Sequence, residues 1–127
     1  MTEFAVRGAT MRRTETPNAV MTTVASPTQG ATDQLSVWRV EMRPGQRGPR
    51  HVVDSEQIWH VLAGEADVAV GDRTIRLQAG DAFVLPAMAE RQISAVTALQ
   101  VVACGLGGAV VSVPGEEAPR GTPAWIS

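Results

Sequence analysis

The chain has 127 residues, of which 44% are hydrophobic and 19% charged, and its net charge is −2. This length supports one domain with a single core, and the charge excludes the basic surface that nucleic-acid binding requires. No apolar run approaches the roughly 20 residues of a membrane span, and residues 1–18 lack the apolar core of a secretory leader. The single cysteine, Cys104, suits a reducing compartment. We therefore expect a cytoplasmic protein that binds neither nucleic acid nor membrane.

Short valine-rich runs bounded by Gly, Pro, Asp or Asn recur along the chain, and this pattern is typical of a β-sandwich or barrel. We predict strands over residues 19–25, 35–42, 50–53, 57–63, 66–70, 74–77, 82–85, 91–95, 97–104 and 108–113. Gly71-Asp72 predicts a two-residue hairpin turn of type II′, because glycine stands first. No segment shows a sustained 3.6-residue hydrophobic period, so the predicted fold class is all-β.

The two ends differ in character from the middle of the chain. Residues 1–18 and 114–127 are rich in Thr, Pro, Gly and charge, which predicts a flexible N-terminal arm and a C-terminal tail around a barrel of residues 19–113. The large apolar residues Trp125 and Ile126 predict that the tail docks on the barrel or on a partner subunit. Residues 19–26 are the candidate strand for crossing to a neighbouring subunit.

Two motifs carry a family resemblance. Residues 44–65 read P-G-Q-R-G-P-R-H-V-V-D-S-E-Q-I-W-H-V-L-A-G-E, and residues 79–95 read A-G-D-A-F-V-L-P-A-M-A-E-R-Q-I-S-A. They resemble the two-part signature of the cupin superfamily, G-x5-H-x-H-x3,4-E-x6-G and G-x5-P-x-G-x2-H-x3-N. The resemblance covers about residues 36–104 and implies a small jelly-roll β-barrel with a site inside its mouth. T-P-N-A-V-M-T-T near the start and G-T-P-A-W near the end are similar to short cupins of the actinobacterial type.

The ligand positions of these motifs are only half kept. Aligned on the glycine of the first motif, His51 falls at the first histidine, Val53 at the second and Gln57 at the glutamate. Aligned on the glycine and proline of the second motif, Met88 falls at the glycine and Arg91 at the last histidine.

In cupins the four ligand positions hold a divalent ion, so their replacement bears on cofactor use. Here the resemblance leaves only His51 and Gln57 as metal ligands, whereas Val53 cannot ligate and Arg91 is a permanent cation. Two neutral ligands beside a guanidinium predict weak metal binding. We expect side chains to carry the chemistry, and a divalent metal bound by His51 and Gln57 is the alternative.

Strand alternation predicts which side chains line the barrel interior. If the motif ligands point inward, as the resemblance implies, the apolar residues of the same parity form a hydrophobic pocket around a polar cluster of His51, Gln57 and Arg91. The predicted substrate-binding residues are Trp38, Val40, Met42, Val53, Trp59, Val61 and Ile93. His60 has the opposite parity and is predicted to face outward. Such a pocket suits a small, largely hydrophobic, aromatic or polyketide-like ligand.

Three functions are compatible with this pocket. The first is a non-redox tailoring enzyme of cyclase or isomerase type, similar to cupins of aromatic polyketide pathways. In this hypothesis His51 is the general acid/base, Arg91 stabilises an oxyanion and Gln57 orients substrate or water. The second is a metal-dependent dioxygenase or lyase. The third is a small-molecule binding protein without catalysis. Because cupins often cover exposed sheet edges by symmetric pairing, the resemblance also implies a homodimer.

Overall fold

The computed structural model describes residues 4–127, and the first three residues of the predicted N-terminal arm lie outside them. The described residues form a short 3₁₀ turn, Gly8–Thr10, followed by eleven strands, which confirms the all-β prediction. The strands are β1 Arg12–Glu15, β2 Val20–Ala25, β3 Leu35–Met42, β4 Val52–Val53, β5 Gln57–Ala63, β6 Glu65–Val70, β7 Arg73–Gln78, β8 Ala82–Leu85, β9 Arg91–Ala95, β10 Leu99–Leu106 and β11 Val111–Ser112. No helix within residues 4–127 is long and apolar enough to cross a membrane.

The strands form the two walls of a jelly-roll barrel. One wall is a six-stranded sheet in the order β1-β2-β3-β10-β5-β8, and the other contains the three-stranded sheet β7-β6-β9. Isolated bridges from Arg47 to Ser94 and from His51 to Arg91 continue the second wall from β9 to the segment before β4. Strand β4 itself pairs with β11. These bridges bring the two motif segments next to each other, because His51 and Arg91 exchange both of their backbone hydrogen bonds, at 3.1 and 2.9 Å.

Burial alternates along the strands as the sequence pattern predicts. On β5, Gln57, Trp59 and Val61 are buried, whereas Ile58 and His60 are exposed on the outer face. The same period of two appears on β3 and β9. Alternation of this kind identifies the apolar face that each strand turns toward the core.

The N-terminal segment contains a strand that the sequence pattern does not predict. Residues 12–15, placed in the flexible arm, form β1 and pair with β2 in the register Arg12↔Thr23 to Glu15↔Val20. Their side chains lack apolar alternation, so only the pairing with β2 reveals the strand. Residues 20–25 form β2, which pairs with β1 and β3 of the same chain.

The C-terminal tail lies against the six-stranded sheet of the barrel. Ile126 is buried, with 2% of its surface exposed, and Val111 pairs with Gly121 of the tail. Three buried hydroxyls of the barrel donate hydrogen bonds to backbone oxygens of the tail: Thr23 to Trp125, Ser26 to Ser127 and Ser36 to Ile126. The tail is therefore held by both apolar burial and polar contacts.

Two turns have the geometry that their motifs require. Gly71 has φ of +60°, as the first turn residue of the predicted II′ hairpin needs. Met88, which stands at a glycine position of the second motif, keeps the left-handed conformation with φ of +68°. The Met88 N–H donates to the Val53 carbonyl at 2.8 Å, so this strained residue ties the second motif to the first.

Candidate functional site

A cavity of about 420 Å³ lies between the two walls of the barrel and under the C-terminal tail. Six of the seven residues predicted to bind substrate line it, namely Trp38, Val40, Met42, Val53, Trp59 and Ile93. His51 and Gln57 line it as well. Val61, the seventh predicted residue, faces the barrel interior as predicted. It has no exposed surface and packs in the core, so it does not reach the cavity.

Aromatic rings form part of the cavity wall. The rings of Trp38 and Trp59 meet edge to face, with centroids 6.4 Å apart and planes at 89°. The Trp38 indole N–H is buried and has no hydrogen-bond partner among residues 4–127. Because an unsatisfied buried donor costs about 1–3 kcal/mol, the packing of the Trp38 ring has to offset that cost.

The ring of His51 is held in one tautomer. Its Nδ1 lies 2.9 Å from the Pro49 carbonyl oxygen, which can only accept, so Nδ1 carries the proton and Nε2 carries the lone pair. Burial lowers the pKa of His51 below its ordinary 6.5, the hydrogen bond to Pro49 opposes this, and the charge of Arg91 lowers the pKa further. At neutral pH the cavity therefore contains a neutral imidazole with a basic nitrogen.

The carbonyl oxygen of Gln57 is already used within the protein. Gln57 Oε1 accepts hydrogen bonds from Trp59 Nε1 at 3.1 Å and from Arg91 Nη1 at 3.5 Å. These two donors fix the orientation of the amide, so its nitrogen, Nε2, is the atom left to act as a donor. The role of Gln57 in orienting substrate or water stays a prediction, and its N–H is the group that would carry it.

Arg91 is buried completely and does not line the cavity. Its Nη2 donates to the Pro86 carbonyl at 2.9 Å and its Nε donates to the Ala89 carbonyl at 3.2 Å. Burial lowers the pKa of Arg91 to about 10, so the group stays charged at neutral pH. The predicted contact of Arg91 with an oxyanion needs correction: the loop before β9 turns its carbonyls onto the guanidinium, which therefore touches Gln57 and not the open cavity.

The sequence pattern misses the part of the wall that comes from the ends of the chain. The tail contributes Arg120, Trp125 and Ile126, and β2 contributes Met21. The sequence does indicate that the tail docks, because the large apolar residues Trp125 and Ile126 stand in an otherwise polar segment. Nothing local to the sequence indicates that they dock over the cavity.

The residues at the family's ligand positions do not fit a divalent ion. No group of three or more His, Cys, Asp or Glu side chains lies close enough to hold a metal within residues 4–127. His51 offers one nitrogen, the Gln57 oxygen faces two N–H donors, and the Arg91 cation stands at the fourth position. Like charges repel strongly in such a weakly polar environment, so the arrangement opposes an ion.

Comparison with known proteins identifies the family. The sequence profile described as Cupin domain matches residues 38–104, which is more than half of the chain. The chain belongs to the cupin family. The family resemblance noted from the two motifs is confirmed, and the jelly-roll barrel is the fold that this cupin shares with its relatives.

Individual relatives include both small and large proteins. The chain is 38% identical to a gentisate 1,2-dioxygenase from Streptomyces sp over 76 residues, which is 58% of this chain and 21% of the relative. This cupin therefore spans about a fifth of the length of that curated relative.

Solved structures of cupins superpose well on the barrel. An RmlC-like cupin from Shewanella frigidimarina has a TM-score of 0.72 at 18% identity, covering 84% of this chain and 94% of the other. Salicylate 1,2-dioxygenase from Pseudoaminobacter salicylatoxidans has a TM-score of 0.71 at 18% identity, covering 83% of this chain and 31% of the other. At such identities the likeness concerns the fold alone.

Restoring the motif residues should create the missing metal site. We expect the triple variant Val53→His, Gln57→Glu, Arg91→His to bind close to one divalent ion per chain after incubation with Mn²⁺ or Zn²⁺, because it regains a three- or four-ligand shell. Elemental analysis after desalting is the measurement, and we expect less than ~0.2 ions per wild-type chain. Adding His51→Ala to the triple variant is the control and should release the ion. Stoichiometric metal in the wild type would contradict the assignment.

The lowered pKa of His51 predicts a pH dependence of stability. The pKa of His51 is lower in the folded chain than the ordinary value of 6.5, so at pH values between the two the unfolded chain binds the proton more readily. Protonation therefore favours unfolding. The stability that neutral His51 contributes is present above pH 6.5 and is lost as the pH falls through this window. We expect the drop in unfolding free energy from about pH 7.5 to about pH 5, measured by urea denaturation, to be smaller in His51→Asn than in the wild type. An equal drop in both proteins would show that burial of His51 does not oppose its protonation.

Proposed function

We propose that this cupin binds a small, largely hydrophobic, ring-containing molecule inside the barrel and moves a proton on it with His51. The reaction class is a non-redox conversion of cyclase or isomerase type. The observation that carries the proposal is a neutral imidazole, with Nδ1 tied to the Pro49 carbonyl, in the wall of an otherwise apolar cavity of about 420 Å³. A general base must be unprotonated before it reacts. The lowered pKa of His51 keeps its imidazole neutral at neutral pH, and the bond from Nδ1 to Pro49 leaves Nε2 as the basic nitrogen.

The neighbours of His51 have supporting roles in this proposal. The Gln57 amide nitrogen donates to a substrate oxygen, and Arg91 positions Gln57 through Oε1. Trp38 and Trp59 provide ring faces and edges that suit an aromatic or polyketide-like substrate. Arg91 is a positioning residue here, because its guanidinium does not reach the cavity.

A metal-dependent dioxygenase is the second candidate function. Its support is the 38% identity to a gentisate 1,2-dioxygenase, whose name also points to a small aromatic substrate. The donor set of the cavity counts against it, since the Gln57 oxygen is engaged and Arg91 stands where a fourth ligand is needed. We therefore take from this relative the size and aromatic character of the ligand, and not the oxygen chemistry.

Proton transfer can be tested with a probe that needs no knowledge of the natural substrate. 2-Tetralone is an apolar bicyclic ketone whose α-protons exchange through an enol, and NMR follows their replacement in D₂O. We expect the protein to accelerate this exchange and His51→Gln to lower the protein-catalysed rate by about 100-fold, the usual contribution of a general base. His60→Gln is the matched control, because His60 is exposed on the outer face, and it should leave the rate unchanged.

Two outcomes would contradict this proposal. Equal exchange rates in the wild type and His51→Gln would remove the role of His51. Tight binding of 2-tetralone without any faster exchange would favour the third candidate, a binding protein without catalysis.

We also propose that two copies of the chain pair through the outer face of the six-stranded sheet. Ile58, Leu62 and Val84 are 46%, 47% and 56% exposed there, and Ile58 lies opposite Val84 in the register. An outer sheet face exposed to water is normally polar. Arg39 and Glu41 are exposed on β3 of the same face, and their opposite charges would complement each other when this surface meets its own copy across a two-fold axis.

The oligomeric state tests the pairing. Light scattering at about micromolar concentration should give the mass of a dimer for the wild type, and Leu62→Arg should give a monomer, because a charge in the centre of an apolar interface is left unpaired. Ile75→Arg is the control, since Ile75 is 51% exposed on the other sheet. A monomeric wild type would refute the pairing.

A further inference from the structure

Arg91 is a buried cation without an acidic partner. It has no exposed surface, and none of the ion pairs found within residues 4–127 includes it. Its neighbour in sequence, Glu90, contacts Arg50 at the surface instead, at 3.4 Å. A buried charge satisfied only by carbonyl oxygens is costly, and a nearby negative charge would offset that cost.

The cavity beside Arg91 supplies no such negative charge from the protein. Its wall, as far as residues 4–127 describe it, includes no Asp or Glu side chain. The charged side chain in the wall is Arg120, at the tail, which pairs with Glu116 at 3.0 Å. Because Glu116 already pairs with Arg120, Arg91 remains the cation beside the cavity that has no acidic partner within residues 4–127.

Gln57 connects the buried cation to the cavity. Arg91 Nη1 approaches the Gln57 carbonyl oxygen at 3.5 Å, and the same amide presents its N–H groups on the other side. A donor that polarises the carbonyl of an amide strengthens the hydrogen bonds that the amide nitrogen donates. The Gln57 nitrogen is thus a strengthened donor, well suited to an oxyanion.

His51 adds an acceptor next to this donor. The backbones of His51 and Arg91 are joined by two hydrogen bonds, and the Arg91 side chain contacts Gln57, so the buried Arg91 links two residues that line the cavity, His51 and Gln57. With Nδ1 committed to Pro49, Nε2 accepts a hydrogen bond. One donor strengthened by a cation and one acceptor match a ligand with an oxyanion and a neighbouring hydroxyl.

We propose that the ligand is a monoanion in which a hydroxyl stands next to a carboxylate or enolate on an apolar ring system. The oxyanion accepts from Gln57 Nε2 and offsets the charge of Arg91, the hydroxyl donates to His51 Nε2, and the rings occupy the apolar remainder of the cavity. This inference rests on the proposed function, since it names the substrate class of the same site.

A matched set of ligands tests the charge and the hydroxyl separately. Isothermal titration calorimetry is run with 3-hydroxy-2-naphthoate, with 2-naphthoate, which lacks the hydroxyl, and with 3-hydroxy-2-naphthamide, which lacks the charge. We expect the hydroxy acid to bind tightest, and the neutral amide to bind roughly 10- to 100-fold more weakly, as expected for loss of a charge-assisted hydrogen bond. 2-Naphthoate should bind with intermediate affinity.

The variant Gln57→Glu separates a role in ligand selection from a role in folding. Glutamate has nearly the same shape as glutamine, gives Arg91 a carboxylate partner and removes the amide donor. We expect the preference for the hydroxy acid over its amide to disappear, while the melting temperature stays equal or rises because the buried cation is paired. Loss of stability together with loss of binding would show that Gln57 is merely structural and would overturn the assignment.

The remaining outcomes distinguish this inference from the proposed function. Equal affinity for acid and amide, with 2-tetralone still bound, would overturn the anionic ligand while leaving the apolar site intact. If neither 2-tetralone nor any of the naphthalene ligands binds, both proposals fail. Arg76→Gln serves as the second control, and we expect it to leave the preference within about threefold, since Arg76 forms a surface ion pair with Asp67 and is not part of the cavity wall. Loss of the preference in Arg76→Gln would assign selectivity to surface charge and overturn the role of Arg91.

Discussion

The contact between the Arg91 guanidinium and the Gln57 carbonyl oxygen constrains most of what this cavity can do. The guanidinium is held by Pro86, Ala89 and Gln57, so it stays charged although it has no exposed surface. Through that contact the amide is turned with its nitrogen as the free donor. Burial lowers the pKa of the nearby His51, and the charge of Arg91 adds to this effect, so the imidazole stays neutral. The family's ion-binding position has thereby become a fixed cation built from the chain itself.

This replacement explains how a cupin can keep the barrel with a donor set that does not fit a divalent ion. The backbone features of the motifs remain, including the left-handed conformation at Met88 where the motif has glycine. Fold and ligand set are therefore separable in this family, because the first depends on turns and alternation and the second on four side chains.

The sequence predicts the local features of this protein well and the long-range ones poorly. Alternation on β5 correctly separates Gln57 and Trp59, which are buried, from His60, which is exposed. The strand β1 is missed because its residues have no apolar period and acquire strand structure only by pairing with β2. The position of the Arg91 guanidinium is also beyond sequence reasoning, since it depends on where the Pro86 and Ala89 carbonyls point after folding.

The docking of the tail has a consequence for how the chamber exchanges its contents. The hydroxyls of Thr23, Ser26 and Ser36 have no exposed surface, and their acceptors all belong to the tail. If the tail moved away, these hydroxyls would lose their hydrogen-bond acceptors unless water replaced them at the same time. Opening of the cavity at the tail is therefore coupled to hydration of the inner face of the sheet. An apolar ligand that leaves by this route is released at the rate of that hydration.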